Sequence, residues 1–341
     1  MIGIGVVGVG EMGKRHAENV RRHVSGARLV AIADANLERA KQVAAELEIE
    51  NYCDSVEALV ARKEINAIVI VSPPKFHPQA IQVAAAAKKH ILCEKPLALT
   101  LDQADVALEA VAKNGIILQM GHMRRYDPSY VEAMKRIQGG EIGDPIIFKA
   151  IGRDAQAPPP SYFQSGANGI LLLDSSVHEF DLARWLMRDE VVEVQAYTAT
   201  LSLPELVQYG YFDSAVANLR FGRGAIGNVE SFMNARYGYD IRTEVIGTKG
   251  ALQIGRLWET GVQVLTEQGC GQQAIKHWLV RFADAYLLEM QDFVETVRSG
   301  AAPRVTGRDG RAAIAIALAA EKSSRESCAI SVDSAVGVSK P

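Results

Sequence analysis

Ile2-Gly3-Ile4-Gly5-Val6-Val7-Gly8-Val9-Gly10-Glu11-Met12-Gly13 decides the fold. The run Ile2–Val7 holds no polar side chain, as expected of a strand buried on both faces. Gly8–Gly13 is a G-x-G-x-x-G sequence, and a helical stretch follows it to about His23. Among 29 glycines that spacing can arise by chance, so its context carries the argument. A glycine-rich turn that closes a buried strand and opens a helix is the dinucleotide fingerprint. Gly8 permits the tight turn, Gly10 lets the backbone approach a pyrophosphate, and Gly13 allows close packing of helix on strand. Glu11 and Met12 complete the turn, and the pyrophosphate sits against unpaired N–H groups at the positive end of the helix. The plainer reading is a tight strand–helix turn and nothing more.

The sequence downstream repeats the pattern. Strands are predicted over Arg28–Asp34, Ala67–Val71, His90–Cys93 and Ile116–Met120, with helices over Leu37–Leu47, Val56–Ala61, Pro78–Lys89 and Leu101–Asn114. Strand and helix in alternation give βαβ units and a doubly wound parallel sheet, an α/β fold. Asp34 ends the second strand, 21 residues after Gly13. An acid there accepts hydrogen bonds from ribose hydroxyls and repels a 2′-phosphate, which predicts NAD rather than NADP. Arg39 bears on the same choice, since it can stack on adenine or bind that phosphate. Asp34 as a simple cap of the next helix is the alternative.

The texture changes after Gly121. A helix over Asp127–Ile137, a strand over Pro145–Ile151, the loop Pro158-Pro159-Pro160 and a helix over Asp174–Met187 lead into a strand-rich stretch from Val191 to Leu265. In Ala215–Phe221, Ala217, Leu219 and Phe221 point one way while Asn218 and Arg220 point the other, the alternation of an antiparallel sheet with one covered face. Helices over Ala283–Ser299 and Arg311–Ser327 follow, with Asp309 a candidate cap for the second. The predicted organisation is residues 1–121 as a dinucleotide-binding domain and residues 122–341 as an α+β domain on an antiparallel sheet.

At 341 residues, the length suits two domains of roughly 100–200 residues each. Net charge is −3, from 37 basic and 40 acidic side chains, so no basic excess points to nucleic acid. Cys53, Cys93, Cys270 and Cys328 form no Cys-x-x-Cys pair, and the seven histidines no His-Glu-x-x-His. No metal site or disulfide framework is therefore expected, and a reducing cytosol fits. Met1–Gly5 lacks the basic region of a signal peptide, and no apolar run approaches the ~18 residues of a membrane span. The expectation is a soluble cytoplasmic protein.

Two clusters carry candidate chemistry. Glu94-Lys95-Pro96 follows the fourth strand, and ligands of a doubly wound sheet lie beyond the carboxyl ends of its strands. Lys95 thus falls where a nicotinamide would project, and a partly desolvated lysine suits proton transfer. It also reads as a surface lysine before a turn proline. Asp174 and His178 are four residues apart, so on one helix they share a face. Histidine exchanges protons near neutral pH. A helix cap and a satisfied histidine are the bland reading of that pair, and the nearby acids Glu179 and Asp181 read as solvated. His122–Asp127 follows the fifth strand with Arg124 and Arg125, which offer forks for cofactor or polyol oxygens. Tyr239 is a candidate hydroxyl donor or a core-edge tyrosine.

Taken in order, Gly8–Gly13, Asp34, Ser72-Pro73 with His77, Glu94-Lys95-Pro96, and Asp174 with His178 resemble the glucose–fructose oxidoreductase and inositol dehydrogenase (Gfo/Idh/MocA) family over nearly the whole chain. Gly121–Pro128, Tyr237-Gly238-Tyr239-Asp240 and Arg281–Tyr286 resemble its inositol 2-dehydrogenase branch. The resemblance implies a Rossmann domain followed by a domain with a large open sheet that mediates dimers or tetramers. It implies catalytic roles for Lys95, Asp174 and His178. It sets Ser72, Pro73, His77 and Glu94 at cofactor contacts, and Arg125, Arg153 and Tyr239 near the polyol. The implied reaction is NAD-dependent oxidation of a secondary alcohol on a cyclic polyol, myo- or scyllo-inositol first. An aldose or anhydrosugar dehydrogenase and a non-catalytic NAD-binding regulator are the alternatives. Inositol dehydrogenases often carry His-Arg-Asn where this chain has Gly152-Arg153-Asp154, and the loop Pro158–Gly169 is longer here, so the polyol stays open.

Overall fold

Strand β1 is Ile2–Val7, buried from Gly3 to Val7. The computed structural model describes residues 1–169 and 171–332. After β1 come α1 (Glu11–Arg22), β2 (Ala27–Ala33), α2 (Leu37–Glu46), β3 (Tyr52–Cys53), α3 (Val56–Val60), β4 (Ala67–Ile70), α4 (His77–Ala86), β5 (His90–Glu94), α5 (Leu101–Asn114) and β6 (Leu118–Gly121). The strands form one sheet in the order β3-β2-β1-β4-β5-β6, parallel throughout. The order reverses between β1 and β4, the switch point at which a doubly wound sheet opens a crevice. The short strand β3 has no counterpart in the sequence reading, because two residues show no periodicity.

The rest comprises α6 (Pro128–Gln138), β7 (Pro145–Arg153), α7 (Pro160–Gln164), α8 (Leu171–Asp174), α9 (Val177–Met187), β8 (Val191–Ala199), β9 (Ser214–Phe221), β10 (Ile226–Phe232), β11 (Asp240–Gly247), β12 (Ala251–Gly255), β13 (Trp258–Thr266), β14 (Gly269–Ala274), α10 (Trp278–Arg281), α11 (Ala283–Ser299), α12 (Gly307–Glu326) and β15 (Ile330–Ser331). Seven strands form a second sheet, β12-β11-β7-β10-β9-β8-β15. Only β7 and β10 run parallel in it; the other neighbours are antiparallel. Along β9, Ala215, Ala217, Leu219 and Phe221 are buried while Val216, Asn218 and Arg220 are exposed, the expected alternation.

Two compact units result. The first holds Met1–Tyr126 with Asp284–Ile314; the second holds Asp127–Ala283 with the chain from Ala315. A single cut at residue 121 misses the segment that returns to the first unit. Its reason is apolar burial: Met290, Phe293 and Val294 of α11 share one core with Ile4, Val6, Val20, Ile32 and Leu92. Residues 333–341 of the expected second domain lie outside the described residues. Among those described, no helix is long and apolar enough to cross a membrane.

Three local expectations are corrected. The helix foreseen over Asp174–Met187 is two helices, α8 and α9, parted at Ser175-Ser176. There the Ser176 N–H reaches back to the Leu171 carbonyl at 3.1 Å and the His178 N–H to the Ser175 carbonyl at 3.2 Å, so the regular four-residue ladder is broken. Asp309 does not cap α12 from outside. Thr306 does: its N–H donates to Asp309 Oδ2 at 2.8 Å, and the Asp309 N–H points to Thr306 Oγ1 at 3.3 Å, a reciprocal capping box. Glu179 and Asp181 are not solvated; each is 1% exposed.

Candidate active site

The cofactor cradle grows out of β1. Gly8 sits at φ +83°, and a Cβ on it would lie 2.7 Å from the Ser72 backbone nitrogen. A Cβ on Gly13 would lie 1.8 Å from the Gly8 carbonyl oxygen. Backbone packed against backbone leaves no room for any other residue at either position. Gly10 is the opposite case: nothing lies within 4 Å of a Cβ there, which leaves open space at the first turn of α1. Glu11 and Met12 form that turn.

Asp34, one residue beyond β2, locks the turn from the side. Its Oδ2 accepts from the Val9 N–H at 2.9 Å and its Oδ1 from the Asn36 N–H at 2.9 Å. The guanidinium of Arg39 stands 3.6 Å from Oδ2. The helix cap is Asn36, whose side chain accepts from the Arg39 N–H, so capping does not explain Asp34. A carboxylate fixed to the fingerprint loop at the end of β2, beside an open glycine, fits the ribose and pyrophosphate of NAD.

Ser72, Pro73 and His77 follow β4. His77 is buried, with Nδ1 2.8 Å from the Pro96 carbonyl oxygen and Nε2 2.6 Å from the Ser72 carbonyl oxygen. The ring therefore straps the loop after β4 to the residue after Lys95. Burial holds its imidazole below the ordinary value, against the pull of both carbonyls. Glu94 ends β5; its Oε1 meets His16 Nε2 at 2.7 Å and its Oε2 accepts from the Lys95 N–H at 3.2 Å. Burial pushes the Glu94 carboxyl up, but His16 together with the charge and N–H of Lys95 outweighs it, and the net direction is down. Lys95 itself is half-buried, and its peptide bond to Pro96 is cis. Arg125 is buried and donates to Asp309 Oδ1 at 3.1 Å.

In the second unit, Asp174 ends α8 and His178 lies in the first turn of α9, 7% exposed. The broken helix removes the simple four-residue argument for their shared face. The sequence reading missed the residues that hold them. Tyr162 donates from its hydroxyl to Asp174 Oδ2 at 2.6 Å, and Ser175 Oγ donates to Asp154 Oδ2 at 2.9 Å. Burial, and then the charge of Asp174, drive the Tyr162 phenol far upward, so it stays a donor. The one signal for Tyr162 was an aromatic pair, Tyr162-Phe163, inside the Pro-rich loop.

Arg153 is a correction. Along β7, Phe148, Ala150 and Gly152 are buried and face one way, and a Cβ on Gly152 would lie 2.6 Å from Glu179 Oε1 of α9. Arg153 alternates to the other side. There Glu230 takes its guanidinium at 2.6 Å, Tyr237 Oη lies 2.9 Å away, and Asp240 lies at 3.6 Å. It is Asp154, not Arg153, that reaches Ser175. Tyr239 is 6% exposed with its ring edge against Phe282 at 6.3 Å.

The family model for the oxidoreductase family with an NAD-binding Rossmann fold matches residues 2–122, and the GFO/IDH/MocA C-terminal domain matches residues 130–253. The scyllo-inositol 2-dehydrogenase (NAD(+)) of Bacillus subtilis is 39% identical over 328 residues, covering 96% of this chain and 95% of that protein. The myo-inositol 2-dehydrogenase of Thermotoga maritima is 35% identical over 335 residues, 98% of this chain and 99% of that one. The crystal structure of scyllo-inositol dehydrogenase from Lactobacillus casei, with bound NAD(H) and scyllo-inositol, superposes with a TM-score of 0.92 at 30% identity, covering 98% of this chain and 100% of that one.

Proposed function

The chain belongs to the GFO/IDH/MocA oxidoreductase family, and on that premise we propose that it oxidises a ring hydroxyl of an inositol to the ketone with NAD⁺. The observation that carries this is the end of β5. Lys95 follows Glu94 directly, and β5 lies between β6 and β4, the latter flanking the switch point. NAD⁺, when bound, supplies the hydride acceptor. Lys95 offers positive charge to the developing alkoxide. His178 exchanges the hydroxyl proton, with Lys95 assisting, and Asp174 accepts a substrate hydroxyl. Either Lys95 or His178 is the immediate base. Ser72, Pro73, His77 and Glu94 contact the cofactor or brace its contacts; Arg125 and Tyr239 lie near the polyol.

The protein acts in the cytoplasm in carbohydrate catabolism, as a homodimer or homotetramer. Self-association through the second sheet is supported by its outward face, where Tyr197, Val216 and Ile226 are 62%, 39% and 54% exposed. The test is a steady-state screen of myo-inositol, scyllo-inositol, aldoses and anhydrosugars with NAD⁺, read by absorbance of reduced nicotinamide. Turnover of an inositol is expected. Preference for an aldose or anhydrosugar would replace the substrate, and tight NAD binding with no turnover of any polyol would mark a regulator.

A further inference from the structure

Beneath the candidate cofactor site lies a polar cluster that the proposed reaction does not use. His16 of α1, Glu94 of β5 and Glu289 of α11 are all buried, and their ligating atoms lie within 4.8 Å of one another. Glu289 is 0% exposed, and among the described residues neither of its carboxyl oxygens has a hydrogen-bond partner. Its position in the sequence is unusual. Tyr286, Glu289, Met290 and Phe293 form the buried stripe of α11, so an acid occupies a core position.

We propose that Glu289 holds a proton at neutral pH, which leaves Glu94 the single anion of the cluster and makes Glu289 a positioning residue for Lys95. Two carboxylates this close in a dry interior cannot both be ionised, and the uncompensated one takes a proton. Glu94 is the compensated one: His16 holds Oε1 and the Lys95 N–H holds Oε2. Glu94 also lies close over Gly121, where any side chain would crowd it: a Cβ there would come within 2.9 Å of its Oε2. Were Glu289 ionised, repulsion would fall on Glu94 and loosen its hold on the Lys95 backbone. The groups facing Glu289 bear this out. His16 of α1, with the Tyr286 ring edge against it at 5.8 Å, Glu94 of β5 with Lys95 after it, Asp292 of α11, and Tyr126, whose hydroxyl donates to Asp292 Oδ2 at 3.1 Å, are titratable neighbours. Burial drives the Glu289 carboxyl well above its ordinary 4.5, and the charges of Glu94 and Asp292 push the same way. A resident metal would call for a second-shell partner on the far nitrogen of its histidine, yet His16 Nδ1 has none among the described residues.

The role for Lys95 rests on the proposed function; the proton on Glu289 does not, and the test keeps them apart. Infrared spectra of the full-length holoenzyme with isotope-labelled glutamate, at about pH 8, should show a protonated-carboxyl band that Glu289→Gln removes. The folded affinity of Glu289 for its proton exceeds the unfolded one. Its share of stability is therefore present below the unfolded value near 4.5 and is lost as pH rises toward the folded value. Glu289→Gln escapes that loss, so its Tm should gain on the wild type by roughly 2 °C or more for each pH unit climbed. In kinetics, Glu289→Ala should lower kcat with little change in KM, and the neutral isostere Glu289→Gln should recover most of the loss. Absence of the band, a Tm difference that does not move with pH, or a stoichiometric metal lost in Glu289→Gln would each overturn the protonated Glu289. A band and moving Tm with equal kcat in Ala and Gln variants would overturn the positioning role alone. A wild type that turns over no polyol would instead strike the proposed function.

Discussion

Asp34→Ala tests the cofactor assignment most directly, because the structure sets its size. The carboxylate accepts from the Val9 N–H at 2.9 Å and stands 3.6 Å from the Arg39 guanidinium. In NAD it would also take ribose hydroxyls. A hydrogen bond to a charged group is worth about 1.5–3 kcal/mol, so NAD affinity should fall roughly 10- to 150-fold. For NADP the sign reverses. A 2′-phosphate about 4 Å from a carboxylate meets a repulsion of ~4 kcal/mol per unit charge at an effective dielectric of about 20. Arg39 is half exposed, and water there screens about half of that. Removing the carboxylate lifts the repulsion and releases Arg39 for the phosphate. The NAD-to-NADP preference should therefore drop by about three to four decades. Fluorescence titration of both dinucleotides, with Tm of the apo protein as control for the lost Val9 bond, measures it. Weaker binding of both dinucleotides at an unchanged ratio would refute the discriminating role of Asp34 and leave it only a brace for the glycine turn.

Three further substitutions separate roles. Lys95→Met should lower turnover about 10²- to 10⁴-fold with NAD affinity retained, and near-normal turnover would remove Lys95 from the chemistry. Tyr162→Phe deletes the hydroxyl 2.6 Å from Asp174, and kcat/KM for the polyol should fall roughly 10- to 100-fold with NAD binding unaffected; an unaltered kcat/KM would make that bond incidental. Arg125→Ala takes a cation from Asp309, whose Oδ2 keeps the Thr306 N–H and hydroxyl, so denaturant unfolding should show a loss of about 1–3 kcal/mol; no measurable loss would show that the pair is solvated in solution.

The first unit was legible because its constraints are local. The Gly8 turn, the buried β1 and the helix after it are each fixed by residues within a dozen positions of one another, and the period of apolar residues does the rest. What escaped were features decided by distant partners. The return of α11 to the first unit depends on Phe293 and Val294 meeting a core built from Ile4 to Leu92, and nothing around residue 290 announces which sheet that is. The helix expected from Asp174 begins instead at Val177, and Asp174 closes a separate short helix over Leu171–Asp174, because one turn of helix is too short to show a period in the sequence. Arg153, placed near the polyol only by resemblance, alternates in β7 to the side away from Gly152 and meets Glu230, Tyr237 and Asp240, partners that lie 77 to 87 positions along the chain and that no local signal gives.

This difference in origin bears on how the two ends of the reaction can vary. The cofactor cradle is made of backbone: Gly13 against the Gly8 carbonyl, Asp34 against the Val9 N–H, the His77 ring against the Ser72 and Pro96 carbonyls. Side chains there have almost no freedom to change without moving main chain. Asp174, by contrast, is held by Tyr162 from a loop tied by side chains: Asn168 and Ser165 donate to the Tyr162 carbonyl, Gln164 donates to the Tyr209 hydroxyl, and Tyr211 donates to the Asn168 carbonyl. Such a loop can vary together with the Tyr209–Tyr211 segment it rests on more freely than a turn packed backbone against backbone. On the function proposed above, the choice among polyols falls to Pro158–Gly169 and Asp154, and the choice of dinucleotide to Asp34, which Asp34→Ala tests.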